Sequence, residues 1–554
     1  MNTIFKPKFY VVLKQGYSWH LFRKDLYAGI FVGIIALPLA IAFAVASGVS
    51  PEKGIISAIV GGLIISLFGG SRFQIGGPTA AFIVIVYGII QKYGFDGLMI
   101  STCLAGVMLI GFGLLRLGSV IKFIPHPLVV GFTSGIAVLI FTFVIKDTFG
   151  FPMAKLPDTF IQKWLVYFSS FSQINFYALI ITLISVLISI YGSKKIKKLP
   201  GYVFAILLVT VAVTLLKLPV QTIQSVMGNI SGSIDFHLPQ FDWYKLEDYI
   251  QPAFTIAMLC SIKSLLSAVV ADGMKNSNHR SNTELIAQGI ANIVTPFFGG
   301  IPVAGAVFRT VSNIKNEART PVSGMIHSLI LLIIMLLSIK WIVYIPMSCL
   351  AGILIVFAYN MADWRSFFSI LKGSKYDVFV LLTAFLLTVF ANLTIAIEVG
   401  MVFAALLFMR RISKMSNIES VDIDTDIFEN YSTLPKGVDV YEISGPFFFG
   451  AALSYKEALM EISSDSKVLI LRMRYVPFID STGIHIFTEV IRDFRMKKVR
   501  VVLSGVRPEV REELISCGLA DIIGNEFICD NFGEAVKKAT EESNKSMFRN
   551  KGMF

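Results

Sequence analysis

Apolar residues come in long runs along this chain, and polar residues come in short clusters between them. Runs lie at about 26–47, 51–69, 78–90, 97–115, 124–145, 174–192 and 200–216. A second set lies at about 252–271, 284–298, 303–313, 321–340, 341–358, 376–391 and 393–409. A helix needs about 20 apolar residues to cross a bilayer. Most of these fourteen runs qualify, and 78–90 and 303–313 are short. The pattern predicts a polytopic α-helical membrane protein. After residue 411 the pattern changes. Residues 412–436 are polar and acidic. Beyond them Val438–Ser444, Val468–Arg474 and Val499–Ser504 read as strands. Ser481 to Lys497, Pro508 to Cys517 and Phe532 to Thr540 read as helices. The predicted organisation is an N-terminal segment (1–25), a transmembrane domain (26–411), a linker (412–436), a small α/β domain (437–541) and a tail (542–554).

Composition agrees with a membrane chain. Of 554 residues, 55% are hydrophobic and 16% charged, and mean hydropathy is +0.71. The net charge of +12 raises the question of nucleic acid. The basic residues, however, sit in short loops between apolar runs, where they report topology. With the N-terminus inside, the even-numbered loops should be basic. They carry Arg72; Arg116 and Lys122; Lys194 to Lys198; Lys275 and Arg280; Lys315 and Arg319; and Arg365, Lys372 and Lys375. Both termini are therefore expected in the cytoplasm. The five cysteines show no metal or disulfide spacing. No cleavable signal peptide is visible, because the first run is too long for one. Neither a metal nor a cofactor is expected.

Two breakers hint at a repeat. Gly76-Gly77-Pro78 opens the third segment and Gly299-Gly300-Ile301-Pro302 opens the tenth, with the glycine pairs 223 residues apart. Seven spans per half is an odd number, so the halves would run in opposite directions across the membrane. Short, interrupted segments at matching places in inverted repeats mark transporter binding sites. The same offset pairs Ala40, beside the helix-breaking Pro38, with Lys263. Gln74, Thr79, Ser261, Ser264 and Ser267 supply polar groups near these breaks.

Lys263 is the informative charge. It lies within an apolar span, roughly 13 to 18 Å from either end at about 1.5 Å per residue. A lysine stem reaches about 6 Å, too short to snorkel from there. It should face protein or water, because lipid would cost about 2.5–3.5 kcal/mol. Arg309 is placed about two turns into the tenth segment. Two half-helices meeting N-terminus to N-terminus add positive dipole ends. The pocket should be electropositive and its ligand an anion. The plainer alternatives are a lysine bonded to a backbone carbonyl and an arginine anchoring lipid.

Five stretches resemble the SulP family of anion transporters. They are ALPLAIAFAVASGVSPEKG (36–54), GGSRFQIGGPTAAF (69–82), SLLSAVVADGM (264–274), SNTELIAQGIANIVTPFFGGIPVAGAVFRTVSNI (281–314) and PFIDSTG (477–483). The last belongs to a C-terminal region that resembles a STAS domain. The resemblance implies fourteen transmembrane segments in a seven-plus-seven inverted repeat. Spans 1–4 and 8–11 would form a core domain, and spans 5–7 and 12–14 a gate domain. It also implies a dimer, elevator-like motion and an anion between the half-helices of spans 3 and 10. The substrate residues it suggests are Gly77, Pro78, Thr79, Ala80, Ala304, Gly305 and Ala306, with Lys263, Arg309, Ser267 and Ala40 nearby. Ser481 matches a serine that is phosphorylated in anti-sigma-factor antagonists, and otherwise belongs to an ordinary helix cap at Asp480.

Many bacterial relatives carry an acidic residue where this chain has Lys263. The expectation is therefore a carrier uncoupled from sodium or protons, its ammonium standing in for the cation; the alternative is that Lys263 itself releases a proton. Sulfate leads as substrate, with bicarbonate, chloride and small dicarboxylates open. Two other classes compete: a membrane-anchored regulator whose STAS domain recruits a soluble protein, and a nucleobase carrier, which would favour a carboxylate in span 8 or 10. No nucleophile–base pair suggests an enzyme. His126, His279 and His327 read as isolated residues at loop or span ends. The expected setting is a bacterial-type inner membrane.

Overall fold

In a bilayer, backbone groups must be satisfied within the protein, so apolar runs fold as helices. The computed structural model describes residues 6–118, 125–153, 156–157, 159–195, 200–228, 236–239, 246–391, 395–396, 399–400, 402–403, 406, 409, 417–420, 437–460 and 466–551. It divides into two units, Met1–Val402 and Phe403–Phe554.

The first unit opens with α1 (Lys8–Gln15) and α2 (Trp19–Ala46). The first span therefore begins before residue 26. Pro38 does not break it: α2 runs through the proline to Ala46. The second span is α3 (Pro51–Ile56), a π turn (Ser57–Gly61) and α4 (Gly62–Phe68). Strand β1 (Gly76–Gly77) and a 3-10 turn (Ala80–Phe82) lead into α5 (Ile83–Leu114), which breaks at Gly94 between the third and fourth expected spans. Next come α6 (His126–Phe149), α7 (Phe160–Ser169), α8 (Phe176–Lys195), α9 (Gly201–Leu216) and α10 (Ile223–Met227). The second half runs α11 (Leu246–Lys275), α12 (Ser281–Phe297), β2 (Ala304–Gly305), α13 (Val307–Lys315), α14 (Val322–Ile342), α15 (Met347–Met361), α16 (Trp364–Leu371) and α17 (Lys375–Phe390). The fourteenth span and the acidic part of the linker lie largely outside the described residues.

The first two spans and the strand of each half match, at an offset that differs from the expected one. Ala46 and Lys275 end the first and eighth spans, 229 residues apart, and Phe68 and Phe297 end the second and ninth, also 229 apart. Gly76 and Ala304 open the two strands, 228 apart. The glycine pair at 299–300 instead belongs to the turn after α12. Ala40 is thus not the counterpart of Lys263. The sequence match rested on two glycine pairs that do different jobs.

Packing separates two groups of helices. In one, α2 packs on α14 and α5 packs on α11 and α12; in the other, α6 packs on α15 and α17, and α8 on α9 and α15. The α5–α12 crossing is close because it is made at Gly106 and Gly289. A Cβ on either would stand 2.6 Å from the other's carbonyl oxygen.

The N-terminal end is held by a buried carboxylate. Asp25 is fully buried and accepts from the Tyr17 hydroxyl (3.0 Å), the backbone N–H groups of Arg319 (2.7 Å) and Thr320 (3.0 Å), and the Thr320 hydroxyl. Burial, and then the Asp25 charge, push the Tyr17 phenol above its usual pKa. His279 is not isolated either: its ring Nδ1 lies 2.6 Å from Asp272 Oδ2, and its backbone N–H donates to the same oxygen.

The second unit holds a sheet ordered β3 (Asn417–Ser420), β4 (Val438–Ser444), β5 (Val468–Tyr475), β6 (Arg500–Ser504) and β7 (Ile528–Cys529). Strands β4 to β7 pair in parallel and β3 antiparallel. Strand β3 lies inside the stretch expected to be only a linker. Its helices are α18 (Ala452–Met460), α19 (Ser481–Met496), α20 (Pro508–Ser516), α21 (Leu519–Ile523) and α22 (Phe532–Lys551). Helix α22 continues through the expected boundary at 541 to Lys551. Asp480 caps α19 by accepting from Gly483 N–H at 2.7 Å, and Ser481 is exposed at the first helical position.

Replacing Asp25 with alanine should strand buried donors and cost about 3 kcal/mol. A lowered melting temperature of the detergent-solubilised protein, with a smaller loss for Asp25→Asn, is the expected result.

Candidate functional site

The site begins with two breaks that satisfy each other. β1 and β2 pair antiparallel, Gly76 opposite Gly305 and Gly77 opposite Ala304. Ala306 N–H donates to Ile75 O at 3.0 Å. Side chains complete the pairing. Ser264 accepts from Gly305 N–H (2.9 Å), and Thr310 accepts from Ile75 N–H (3.1 Å) and from the Ser267 hydroxyl (3.0 Å). Asn292 accepts from Val303 N–H (2.9 Å) and donates to Val303 O (2.8 Å), and Ser57, in the π turn, accepts from Ile301 N–H (2.7 Å).

Beyond each strand a helical segment starts without a side-chain cap: the turn at Ala80 behind Thr79, and α13 behind Ala306. The first N–H groups of a helix have no partner within it. Here they face a cavity of about 700 Å³.

Its walls include Pro78, Thr79, Ala80, Lys263, Gly305, Ala306 and Arg309 from the expected set. Gly77 and Ala304 lie directly behind, in the strand pair. Two more expected residues lie away from it. Ala40 is buried in the core, and its helix presents Leu39 and Phe43 instead. Ser267 turns to Thr310. Others were missed. Tyr202, His126 and Asn360 reach the cavity from the opposite helix group, and no local pattern singles them out. Asn292 and Ser57 act on backbone at a distance in sequence, which only folding reveals.

Arg309 is the third residue of α13, within its first turn rather than two turns in. It is 3% exposed, so it does not anchor lipid. Its Nη2 donates to Pro78 O at 2.6 Å, tying one half-helix to the other. Gly77 makes room: its φ is +141°, and a Cβ there would lie 2.6 Å from Arg309 Nη1. Lys263 lines the same cavity and, among the described residues, has no hydrogen-bond or ion-pair partner. It is therefore not a lysine bonded to a carbonyl of those residues. The Thr79 hydroxyl and the Tyr202 hydroxyl are likewise buried without a partner there. Two cations, two uncapped helix starts and two unpartnered hydroxyls converge on one apolar cavity. That combination suits a small oxyanion or halide.

Residues 22–384 match the sulfate permease family, and residues 433–539 match the STAS domain. The putative sulfate transporter YvdB of Bacillus subtilis is 38% identical over 94% of this chain and 98% of its own length. The bicarbonate transporter BicA of Picosynechococcus sp. is 29% identical over 93% of this chain and 94% of its own length. Among solved structures, the murine Solute Carrier 26 family member A9 anion transporter in the inward-facing state superposes with a TM-score of 0.86 at 19% identity. It covers 96% of this chain and 93% of that one.

Replacing Asn292 with alanine would leave the Val303 N–H unpaired in the interior and its carbonyl with only the Cys260 thiol as donor. The expected cost is about 1–3 kcal/mol, read as a lower melting temperature; an unchanged value would mean the strand is held without it.

Proposed function

This chain belongs to the sulfate permease family, and from that premise we propose that it carries a small inorganic anion, sulfate first, across the membrane. It is a multi-pass membrane anion transporter with a STAS domain, not an enzyme. The observation that carries the finer reading is Lys263, a cation with no described partner, in the wall of the cavity that faces both helix starts. A fixed ammonium supplies the positive charge that a bound sodium ion would otherwise bring. Transport is therefore independent of sodium. Bicarbonate and chloride need the same donors and are the next substrates to test.

The lining also suggests a conformation. His126 starts the fifth span and Asp363 follows the twelfth. By the distribution of basic residues both ends are cytoplasmic. The cavity then opens inward, and the two helix groups slide past one another to expose it outward. Cytoplasmic termini and a homodimer complete the reading. Ser481, exposed beside the Asp480 cap, is the position at which a phosphate would be accessible to a soluble partner.

Uptake of radiolabelled sulfate into proteoliposomes tests this. Wild type should take up sulfate equally with and without a sodium gradient, and Lys263→Glu should gain sodium dependence. Sodium-driven uptake by wild type would remove the argument. Arg309→Gln should weaken sulfate binding about 10- to 100-fold, the effect of one lost hydrogen bond to a charged group.

A further inference from the structure

The two helix groups enclose a second cavity, of about 750 Å³, that the site above does not use. One wall is α5 from Val84 to Tyr93, with Gln251 and Pro252 near the start of α11. The other is Leu139 and Phe143 of α6, Thr388 and Val389 of α17, and α7 with the residues leading into it. Helix α7 packs on α6 and α17, so it belongs to their group. These walls adjoin the third, fifth and seventh loops between spans. They are odd-numbered loops, which the distribution of basic residues places outside.

The outer cavity comes close to the inner one. Ala81, in the 3-10 turn, lines the inner cavity, and Val84, at the start of α5, lines the outer. On α6, Thr133 lines the inner cavity and Leu139 the outer. They are about 9 Å apart along the helix at about 1.5 Å per residue. Between these positions Phe82, Ile83, Ile136 and Ile140 are fully buried in one core cluster. A short apolar plug therefore separates the two cavities.

The outer cavity is cationic. The charged side chains among the described residues that line it are Lys92 and Lys163, with no carboxylate. Asp147, one turn beyond Phe143 on α6, is not in its wall. Lys92 is exposed. Lys163 is only 4% exposed, and its Nζ lies over the Phe143 ring, 4.4 Å from the centroid. That ring is itself fixed, edge to face with Tyr87 at 4.9 Å. The ammonium is thus held at a set place in the wall instead of trailing into water. A charge kept from bulk water gains more from an opposite charge beside it than an exposed one does. Gln91, Gln251 and Thr159 add neutral hydrogen-bonding groups to the same walls.

We infer that the outer cavity is a second anion site, with Lys163 as its principal ligand and a small inorganic anion as its occupant. Binding there rests on the cavity's own charges; its place on the route across the membrane rests on reading the facing helix starts as the inner site. Lys263 comes from one helix group and Lys163 from the other. Each group therefore brings one lysine to the interface, on opposite sides of the plug, and an anion that crosses the plug meets a fixed cation on either side.

The test is equilibrium binding of radiolabelled sulfate to the purified full-length protein, counted per chain at saturation. Wild type should bind two. Lys163→Met keeps the stem on Phe143 but removes the charge, and should bind one. Lys163→Arg should bind two. Arg309→Gln should weaken one site about 10- to 100-fold and leave the other unchanged. One sulfate per wild-type chain that survives Lys163→Met overturns the outer site and leaves the inner one standing. One that Lys163→Met abolishes and Arg309→Gln spares does the reverse. Two sulfates in the Lys163→Met variant also overturn the outer site. Should that variant fail to fold, wild-type crystals grown with selenate decide the matter. An anomalous peak within about 4 Å of Lys163 Nζ, the reach of an ion pair, is expected, and none there at saturating selenate overturns the site. No sulfate bound to wild type overturns both sites together.

Discussion

A chain that stops being helical inside a bilayer has no water to satisfy its backbone, and the rest of this structure follows from how that is met. Two breaks meet each other. Gly76–Gly77 and Ala304–Gly305 form a two-residue ladder, and Ser264, Thr310, Asn292 and Ser57 take up neighbouring backbone groups. Each of those side chains comes from a neighbouring span, so the ladder fixes how the helices of one group pack. It also leaves two helix starts uncapped and pointing into one cavity.

Charge is the second layer. Arg309 bonds the carbonyl of Pro78 and so belongs to both half-helices at once. Lys263 adds a cation with no described partner. In a low-dielectric interior such charges are tolerated only where an opposite charge or water can reach them. The opposite wall, with Tyr202, His126 and Asn360, comes from the other helix group. The strand pair itself lies within one group. The relatives named for sulfate and for bicarbonate share nearly the whole length of this chain.

Much of this was legible in the sequence. Long apolar runs gave the spans because hydrophobic length and helix length are tied by the bilayer. Lys263 and the short segments pointed to the cavity they line, because charge and chain breaks are rare within spans. What escaped was set by contacts distant in sequence. Pro38 was expected to break its helix, yet surrounding packing carries α2 through it. The repeat offset was read from two glycine pairs, whereas the true counterpart of Gly76–Gly77 is Ala304–Gly305, with one alanine. His327 reads as a residue near a span end because a lone histidine carries no pattern, whereas the structure buries it within α14. In the second unit, β3 escaped because only one of its four residues, Ile418, is apolar.

The central claim is that the anion sits between the two helix starts, held by their N–H groups, Arg309 and Lys263. The most direct measurement is the structure of the protein crystallised with selenate, an anomalously scattering analogue of sulfate. The account predicts an anomalous peak within hydrogen-bonding distance of the backbone N–H groups that begin α13. A peak elsewhere on the protein, with that cavity empty at saturating selenate, would contradict it.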